Sequence, residues 1–330
     1  MFYKKKVGLI YRSNINQRYS IETLFSPLEK DRNIKKIVLP HDLNSLVSLI
    51  KLLIFSFNIK TKIIHITGDV HYIAFFLFWK KSIITIHDLN HYEELTGIRK
   101  KIYGFLWFSL PLFVANKIVA ISPYTKLQLL KYFRVDENKI VVIPNSFLKF
   151  ESQISNFSRE GPSSFQILCI GNTSNKNIDR LLDAIEGLNL VSLRLIGKQS
   201  SETIIKLNSK KINFTIACNL TRNELAIEYK SSDILYFAST KEGFGLPILE
   251  AQSLGIPVIT SNSTAMPYVA GEGAVIVDPY STESIRESIL LFINKKIDIE
   301  DLKKKGFDNL ERFSQFTFIS AYQDLYKFII

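Results

Sequence analysis

Glu242 and Glu250 stand eight positions apart in Glu242-Gly-Phe-Gly-Leu-Pro-Ile-Leu-Glu250, on either side of a loop that carries two glycines. The apolar run Ile234-Leu-Tyr-Phe-Ala238 ahead of the loop reads as a strand. Pro247 suits a helix start, where a missing N–H costs nothing, and Gly255 suits the helix stop. The amides of Phe244, Gly245 and Leu246 are then expected to point outward at a helix N-terminus. Backbone donors and the helix dipole favour an anion such as phosphate there. Gly243 and Gly245 let that anion approach the main chain closely. Carboxylates repel phosphate, so the two acids suit sugar hydroxyls, or growing positive charge, on either side of it. Phosphate in the middle with hydroxyls at both ends describes a sugar nucleotide as ligand.

A second loop offers a cation. In Cys169-Ile-Gly-Asn-Thr-Ser-Asn-Lys-Asn-Ile-Asp-Arg-Leu181, Gly171 permits a tight strand exit and Lys176 stands just before a helix beginning near Ile178. A lysine there opposes the helix dipole unless it meets an anion, which makes Lys176 a candidate diphosphate ligand; the alternative is a surface lysine. Thr85-Ile-His-Asp-Leu89 ends a strand with His87 and Asp88 at its edge, Asp88 as an acceptor-side candidate, and His65 and His71 flank the loop Thr67-Gly-Asp69 and are expected to line the acceptor side. Five histidines and two scattered cysteines show no zinc-ligand spacing, so neither metal nor cofactor is expected.

These residues need a frame to hold them. Apolar runs alternate with helical patterns, which signals α/β architecture with parallel sheets. Strands are expected at Val7–Tyr11, Lys36–Leu39, Ile63–Ile66, Ile83–Ile86, Ile118–Ile121 and Ile140–Ile143. A second series follows at Gln166–Ile170, Leu193–Ile196, Phe214–Ala217, Ile234–Ala238, Val258–Thr260 and Val275–Val277. Helices are expected near Ser20–Glu29, Ser45–Phe55, Val70–Trp79, Glu93–Ala115 and Tyr124–Tyr132, and a capping box Thr221-Arg-Asn-Glu224 starts another that ends near Tyr229. Two Rossmann-like, doubly wound domains follow, 1–150 and 151–315, with a terminal helix over 316–330. The polar stretch Glu151–Ser164 reads as the linker. Facing domains of this kind leave a central cleft at the carboxyl ends of their strands, where the chemistry is expected.

At 330 residues, with 46% hydrophobic and 22% charged side chains, the chain is globular rather than disordered. Cys169 and Cys218 each sit in or beside an apolar run and are expected as buried, reduced thiols. The N-terminal apolar run is too short for a signal peptide, and no uncharged apolar stretch reaches the ~18 residues of a spanning helix. A cytoplasmic location follows, free or attached peripherally at the inner membrane face. The net charge of +11 is uneven: residues 1–150 hold 23 Lys+Arg against 10 Asp+Glu, and the remainder 19 against 21. An anionic membrane surface or nucleic acid attracts such a patch, and a solvated lysine-rich surface is the alternative. No nucleic-acid-binding module is recognised. Residues 99–114 join a basic start to an aromatic, apolar helix that suits a membrane face or a domain core. Core packing is the favoured reading.

The stretch Glu242–Glu250 resembles the E-x7-E motif of retaining glycosyltransferases of family 4, which have the GT-B fold. The similarity continues through Ala251–Ile259 and Gly271–Pro279. That resemblance implies Glu242 at the donor sugar near the reacting carbon and Glu250 on the nucleotide ribose. It implies Lys176 on the donor diphosphate, in a segment like the family's G-x(n)-K-N, and His87 beside the sugar 6-hydroxyl or the reacting centre. Relatives often carry Arg after the glycine where Asn172 stands, which leaves the second positive charge to Arg180 or Lys198. Ala217-Cys-Asn-Leu220 falls where relatives contact the base, which implicates Cys218 and Leu220. Tyr268 stands where Glu is common. Arg12, Arg18 and Ser20 lie in the position of the family's acceptor loop, here without glycine. Pro144-Asn145 resembles a junction segment, and the terminal helix, with Phe318, Tyr322 and Tyr326 as anchors, is implied to cross back onto the first domain.

The activity this implies is transfer, with retention, of a hexose-type sugar from a nucleoside diphosphate sugar to a hydroxyl of a glycan or lipid-linked acceptor, in cell-surface polysaccharide assembly. Rival readings are a sugar-nucleotide epimerase or phosphorylase of the same fold. A further rival is a silent nucleotide-sugar-binding subunit that docks on membrane.

Overall fold

A computed structural model describes residues 6–13, 20–41, 45–150 and 164–329. Arg18 and the expected linker residues 151–163 lie outside these, as does the side chain of Ser20. The chain divides into two compact units, Met1–Ser146 with Ser314–Ile330, and Phe147–Phe313. Each is built on a six-stranded sheet.

In the first unit the strands are β1 (Val7–Tyr11), β2 (Ile34–Val38), β3 (Ile63–Ile66), β4 (Lys81–Ile86), β5 (Lys117–Ala120) and β6 (Ile140–Val142), in the order β2-β1-β3-β4-β5-β6. All pair in parallel, with Leu9 opposite Lys36 on one side and His65 on the other. Every residue of β1 and β3 is buried, as sheets covered on both faces require. Strand alternation splits the apolar side chains between two cores. Ile10, Ile64, Ile66 and Ile84 join one core, Leu9, Ile63 and Ile83 the other.

The helices of this unit are α1 (Ser20–Phe25), α2 (Leu46–Phe57), α3 (Asn90–Glu94), α4 (Gly97–Tyr103), α5 (Leu110–Val114) and α6 (Pro123–Tyr132), with a 3-10 segment at His71–Leu77. The single helix expected over Glu93–Ala115 is instead broken after Glu94, and a π-wound stretch, Gly104–Ser109, precedes α5. Pro111 is the second residue of α5, which continues the π-wound stretch without a break.

The second unit holds β7 (Phe165–Ile170), β8 (Val191–Ile196), β9 (Asn213–Ala217), β10 (Ile234–Phe237), β11 (Val258–Ser261) and β12 (Val275–Val277), ordered β12-β11-β10-β7-β8-β9 and parallel throughout. Its helices are α7 (Ile178–Ile185), α8 (Ser201–Ser209), α9 (Arg222–Lys230), α10 (Leu246–Ser253), α11 (Met266–Ala270), α12 (Thr282–Ile293) and α13 (Ile299–Asn309). The capping box at Thr221 is formed, with the Glu224 carboxylate 2.7 Å from the Thr221 amide. Gln252, buried on α10, donates to the Ala270 carbonyl at 2.8 Å and accepts from Asn309 at 2.9 Å, which fixes α10 against α11 and α13.

The last helix, α14 (Gln315–Ile329), belongs to the first unit. Phe318, Tyr322 and Tyr326 pack with Phe25 and Leu28 against one face of the first sheet. On the other face lie α2, the 71–77 segment, the 104–109 stretch and α5, anchored by Leu52, Ile73, Phe108 and Leu112. The chain order reverses between β1 and β3 in one sheet and between β7 and β10 in the other. Loops part at such switch points and leave room for ligands at the carboxyl edge.

Candidate active site

The second unit's switch point carries the Lys176–Glu242 constellation. After β7, Gly171 adopts φ +103°, and a Cβ there would lie 2.6 Å from the Lys176 Cε. The lysine chain therefore runs across the space that a side chain would fill. Behind it, Asn177 takes a left-handed conformation and donates to the Ala238 and Pro279 carbonyls at 3.2 and 2.7 Å. After β10 the chain is tied to the same loop: the Thr240 amide donates to the Asn175 carbonyl at 2.8 Å. The Asn175 side chain donates to the Lys241 carbonyl at 2.8 Å and to Glu242 Oε1 at 3.0 Å.

Lys176 Nζ forms an ion pair with that same Glu242 oxygen and lies 4.5 Å from the centroid of the Phe237 ring. The two side chains are 18% and 16% exposed, so each charge is largely withdrawn from water and is held by the other. The anion that offsets a lysine at the start of α7 is here the chain's own glutamate.

Gly245 caps α10 with φ +112°, and a Cβ there would meet Met266 Cε at 2.8 Å. Phe244 is buried, its ring edge-on to Phe313 at 5.7 Å. Helix α10 begins at Leu246, which puts Pro247 at its second position. Among the described residues, none accepts a hydrogen bond from the amides of Phe244, Gly245 or Leu246. Glu250, further along α10, accepts from the Tyr229 hydroxyl at 3.0 Å and pairs with Arg222 at 3.3 Å. Burial, reinforced by the Glu250 charge, raises the Tyr229 phenol well above its ordinary range, so it stays a donor.

The neighbouring loops separate the remaining candidates. Asn172 donates to the Lys198 carbonyl at 2.8 Å, which brings the exposed Lys198 beside Gly171. Arg180 is occupied by Asn177 at 2.9 Å and lies over the Tyr280 ring. Cys218 and Leu220 follow β9 at the same edge. Cys218 is exposed, which corrects the expectation of a buried thiol: β9 is an edge strand, and its end faces solvent. Cys169 is buried, and burial pushes its thiol upward. Tyr268 packs against Arg312 and Phe313, whose ring also meets Phe244.

His87, Asp88 and Arg12 belong to the first unit. His87 Nε2 donates to the Thr67 carbonyl at 2.7 Å, and exposed Asp88 accepts from the Asn90 amide at 2.9 Å. Arg12 bridges Glu22 at 3.2 Å and Asp69 at 3.4 Å. A cavity of about 420 Å³ lies beside Asp88, lined also by Asp69, His71, Tyr103 and Trp107. Burial first, then Asp69 and Asp88, push the Tyr103 phenol up to about 12. His65 is not a cavity residue. It is fully buried in β3, with Nδ1 2.6 Å from the Tyr326 hydroxyl and Nε2 2.8 Å from that of Thr85. Burial lowers it to about 3, with His87 adding to the effect. Among the described residues, no group of three or more His, Cys, Asp or Glu is placed to hold a metal ion.

Both halves of the chain match glycosyltransferase families. Residues 28–147 match the profile of Glycosyltransferase Family 4, and residues 151–308 that of Glycosyl transferases group 1. The chain belongs to the glycosyltransferases of the GT-B fold. It is 26% identical over 217 residues to the O-antigen chain mannosyltransferase RfbU of Salmonella typhimurium, a match covering 64% of this chain and 60% of that protein. In fold it is similar to a glycosyltransferase from Rickettsia africae (TM-score 0.76, 19% identity, 99% of both chains). It is also similar to HepE of Anabaena, solved in complex with UDP and glucose (TM-score 0.78, 13% identity, 97% of this chain and 99% of that one).

Two site residues of this glycosyltransferase went unnoticed in its sequence. Arg222 opens α9, and a basic residue in a first turn opposes the dipole just as Lys176 does, so the same signal marks it. Asn175 lies in a polar loop and carries no spacing signal; only the approach of the two loops reveals it.

Proposed function

We propose that this chain moves a hexose from a nucleoside diphosphate sugar to an acceptor hydroxyl, with retention at the anomeric carbon. The observation that carries this reading is the Lys176–Glu242 pair at the second switch point, next to the open amides of Phe244, Gly245 and Leu246. A diphosphate seated at those amides gains the dipole of α10, with Gly171 and Asn172 on its other side. It draws Lys176 toward itself and frees Glu242 for the sugar. Lys198 supplies the second positive charge. Glu250, held by Tyr229 and Arg222, faces the ribose hydroxyls, and Cys218 and Leu220 border the base.

In the transfer, the bond from the anomeric carbon to the diphosphate oxygen breaks and a bond to the acceptor oxygen forms on the same face. The acceptor proton passes to the leaving phosphate oxygen. Lys176 and the amides stabilise charge growing on that phosphate, and Glu242 stabilises the electron-poor carbon, so fixed electrostatics carry the step without a metal. In the first unit, the second ring nitrogen of His87 suits a hydroxyl. The acceptor belongs to the first unit, at the cavity beside Asp88, where Asp69 and Asp88 suit hydroxyls and Tyr103 and Trp107 suit a sugar's apolar face. Arg12, Arg18 and Ser20 border that side. Likeness to an O-antigen mannosyltransferase and to a UDP- and glucose-binding fold supports a glycan or lipid-linked acceptor of cell-surface polysaccharide type.

The test is a thermal-shift screen against UDP-, GDP- and ADP-sugars, followed by assay of nucleoside diphosphate release with and without glycan acceptors in the presence of a chelator. One donor class should raise the melting temperature, and release should depend on acceptor and survive chelation. Absence of any shift defeats the donor site; release that ignores acceptor points to epimerase or hydrolase chemistry.

A further inference from the structure

We infer that one helical layer of the first unit docks on an anionic lipid bilayer. The layer is α2, the 71–77 segment, α4, the 104–109 stretch and α5, of which the 71–77 segment touches α2, the 104–109 stretch and α5. Its inner side is spent on the core through Leu52, Ile73, Phe108 and Leu112. Its outer side is apolar as well. On α2, Ile50, Ile54 and Phe57 are exposed, Phe57 to 69%, and the Phe57 ring stacks on exposed Trp79 at 5.1 Å. Phe78 beside it is 65% exposed, and across the layer Ile102, Phe105 and Phe113 are exposed, Phe113 to 79%. This corrects the expectation that the 99–114 segment is core: its Phe108 side is buried and its Phe105–Phe113 side faces outward. Apolar surface continuous over neighbouring elements marks an interaction site rather than scattered surface residues.

Charge selects the occupant. Residues 46–57, 71–81 and 97–114 contain no aspartate or glutamate, while Lys51, Arg99 and Lys101 stand exposed among the apolar side chains. Two copies meeting through this face would set like charges against each other. A bilayer with anionic headgroups offers the reverse, hydrocarbon for the rings and negative charge for the cations. Trp79 has the shape and N–H that favour the headgroup level. No helix among the described residues is long and apolar enough to cross a membrane, so the layer lies on the surface.

The full chain is floated with phosphatidylcholine vesicles, with and without phosphatidylglycerol. It should float with the anionic vesicles, and about tenfold less with the neutral ones. The combined Phe57→Ser, Phe78→Ser and Phe113→Ser variant should float about tenfold less at an unchanged melting temperature. Lys51→Glu, Arg99→Glu and Lys101→Glu together should abolish the preference for phosphatidylglycerol, and this set decides alone if the serine variant fails to fold. A wild-type chain that stays soluble, or flotation that both sets leave unaltered, overturns the proposal. So does a wild-type dimer in light scattering that the serine variant converts to monomer, since a second copy then covers the face.

Discussion

The switch points of the two sheets carry the same device with different surroundings. In each, a cation from the loop after the unit's first strand pairs with an acid from the loop across the switch: Arg12 with Asp69, Lys176 with Glu242. Among the described residues of the first unit Glu22 joins, so Arg12 faces two carboxylates. In the second, one cation faces one carboxylate, the start of α10 leaves amides open, and Lys198 stands beside the glycine loop. The first balance disfavours an anion and suits hydroxyls; the second suits a diphosphate. Topology sets where a ligand can enter, and the side chains after the strands set which kind.

Changes to these pairs should separate the two sites. Glu242→Gln and Lys176→Ala should each lower turnover by about 100-fold or more, measured as released nucleoside diphosphate, and Lys176→Ala, which strands Glu242, should also cost about 1–3 kcal/mol of stability. Wild-type rates in either would remove the pair from the chemistry. Arg12→Ala strands Glu22 and should cost about 1–3 kcal/mol of stability in urea unfolding while donor affinity stays constant. A matching loss of donor affinity would erase the contrast between the sites. Gly171→Ala forces a strained backbone and displaces Lys176; a loss of about 1–2 kcal/mol in donor binding by calorimetry is expected.

His65 allows a pH test confined to the first unit. Its folded value of about 3 lies below the ordinary 6.5, so the unfolded chain binds the extra proton between those limits. The stabilisation is complete above pH 6.5 and is lost as pH falls toward 3, by about 1.4 kcal/mol per pH unit at most. His65→Gln should flatten that limb in urea melts at graded pH, and an unchanged slope would assign it to other groups. Lys198→Ala should weaken donor binding the least, about three- to tenfold, with the loss shrinking as salt rises. No change at low salt would return the second cation to Arg180.

Strands were legible because β-branched apolar runs of four to six residues, bounded by Gly, Pro and Asn, have few other uses in a doubly wound fold. The start of α10 was legible for a similar reason: Gly245 and Pro247 each restrict the backbone locally. His65 misled because a histidine beside a strand-end loop looks like a site residue. Only the return of α14, some two hundred and sixty positions later, brings Tyr326 within 2.6 Å and saturates it. Cys218 misled because a run of apolar letters does not say that its strand lies at the edge of a sheet.

By itself the sequence determined the elements, their alternation and the acids, glycines and lysine that could meet a sugar nucleotide, since these depend on side-chain period and local backbone freedom. The tertiary structure alone decided which charges meet, that Lys176 rests on Glu242, that Arg222 holds Glu250, and which helix faces remain uncovered. Those outcomes depend on the order in which strands pair, and strand order places residues sixty or more positions apart within hydrogen-bond reach.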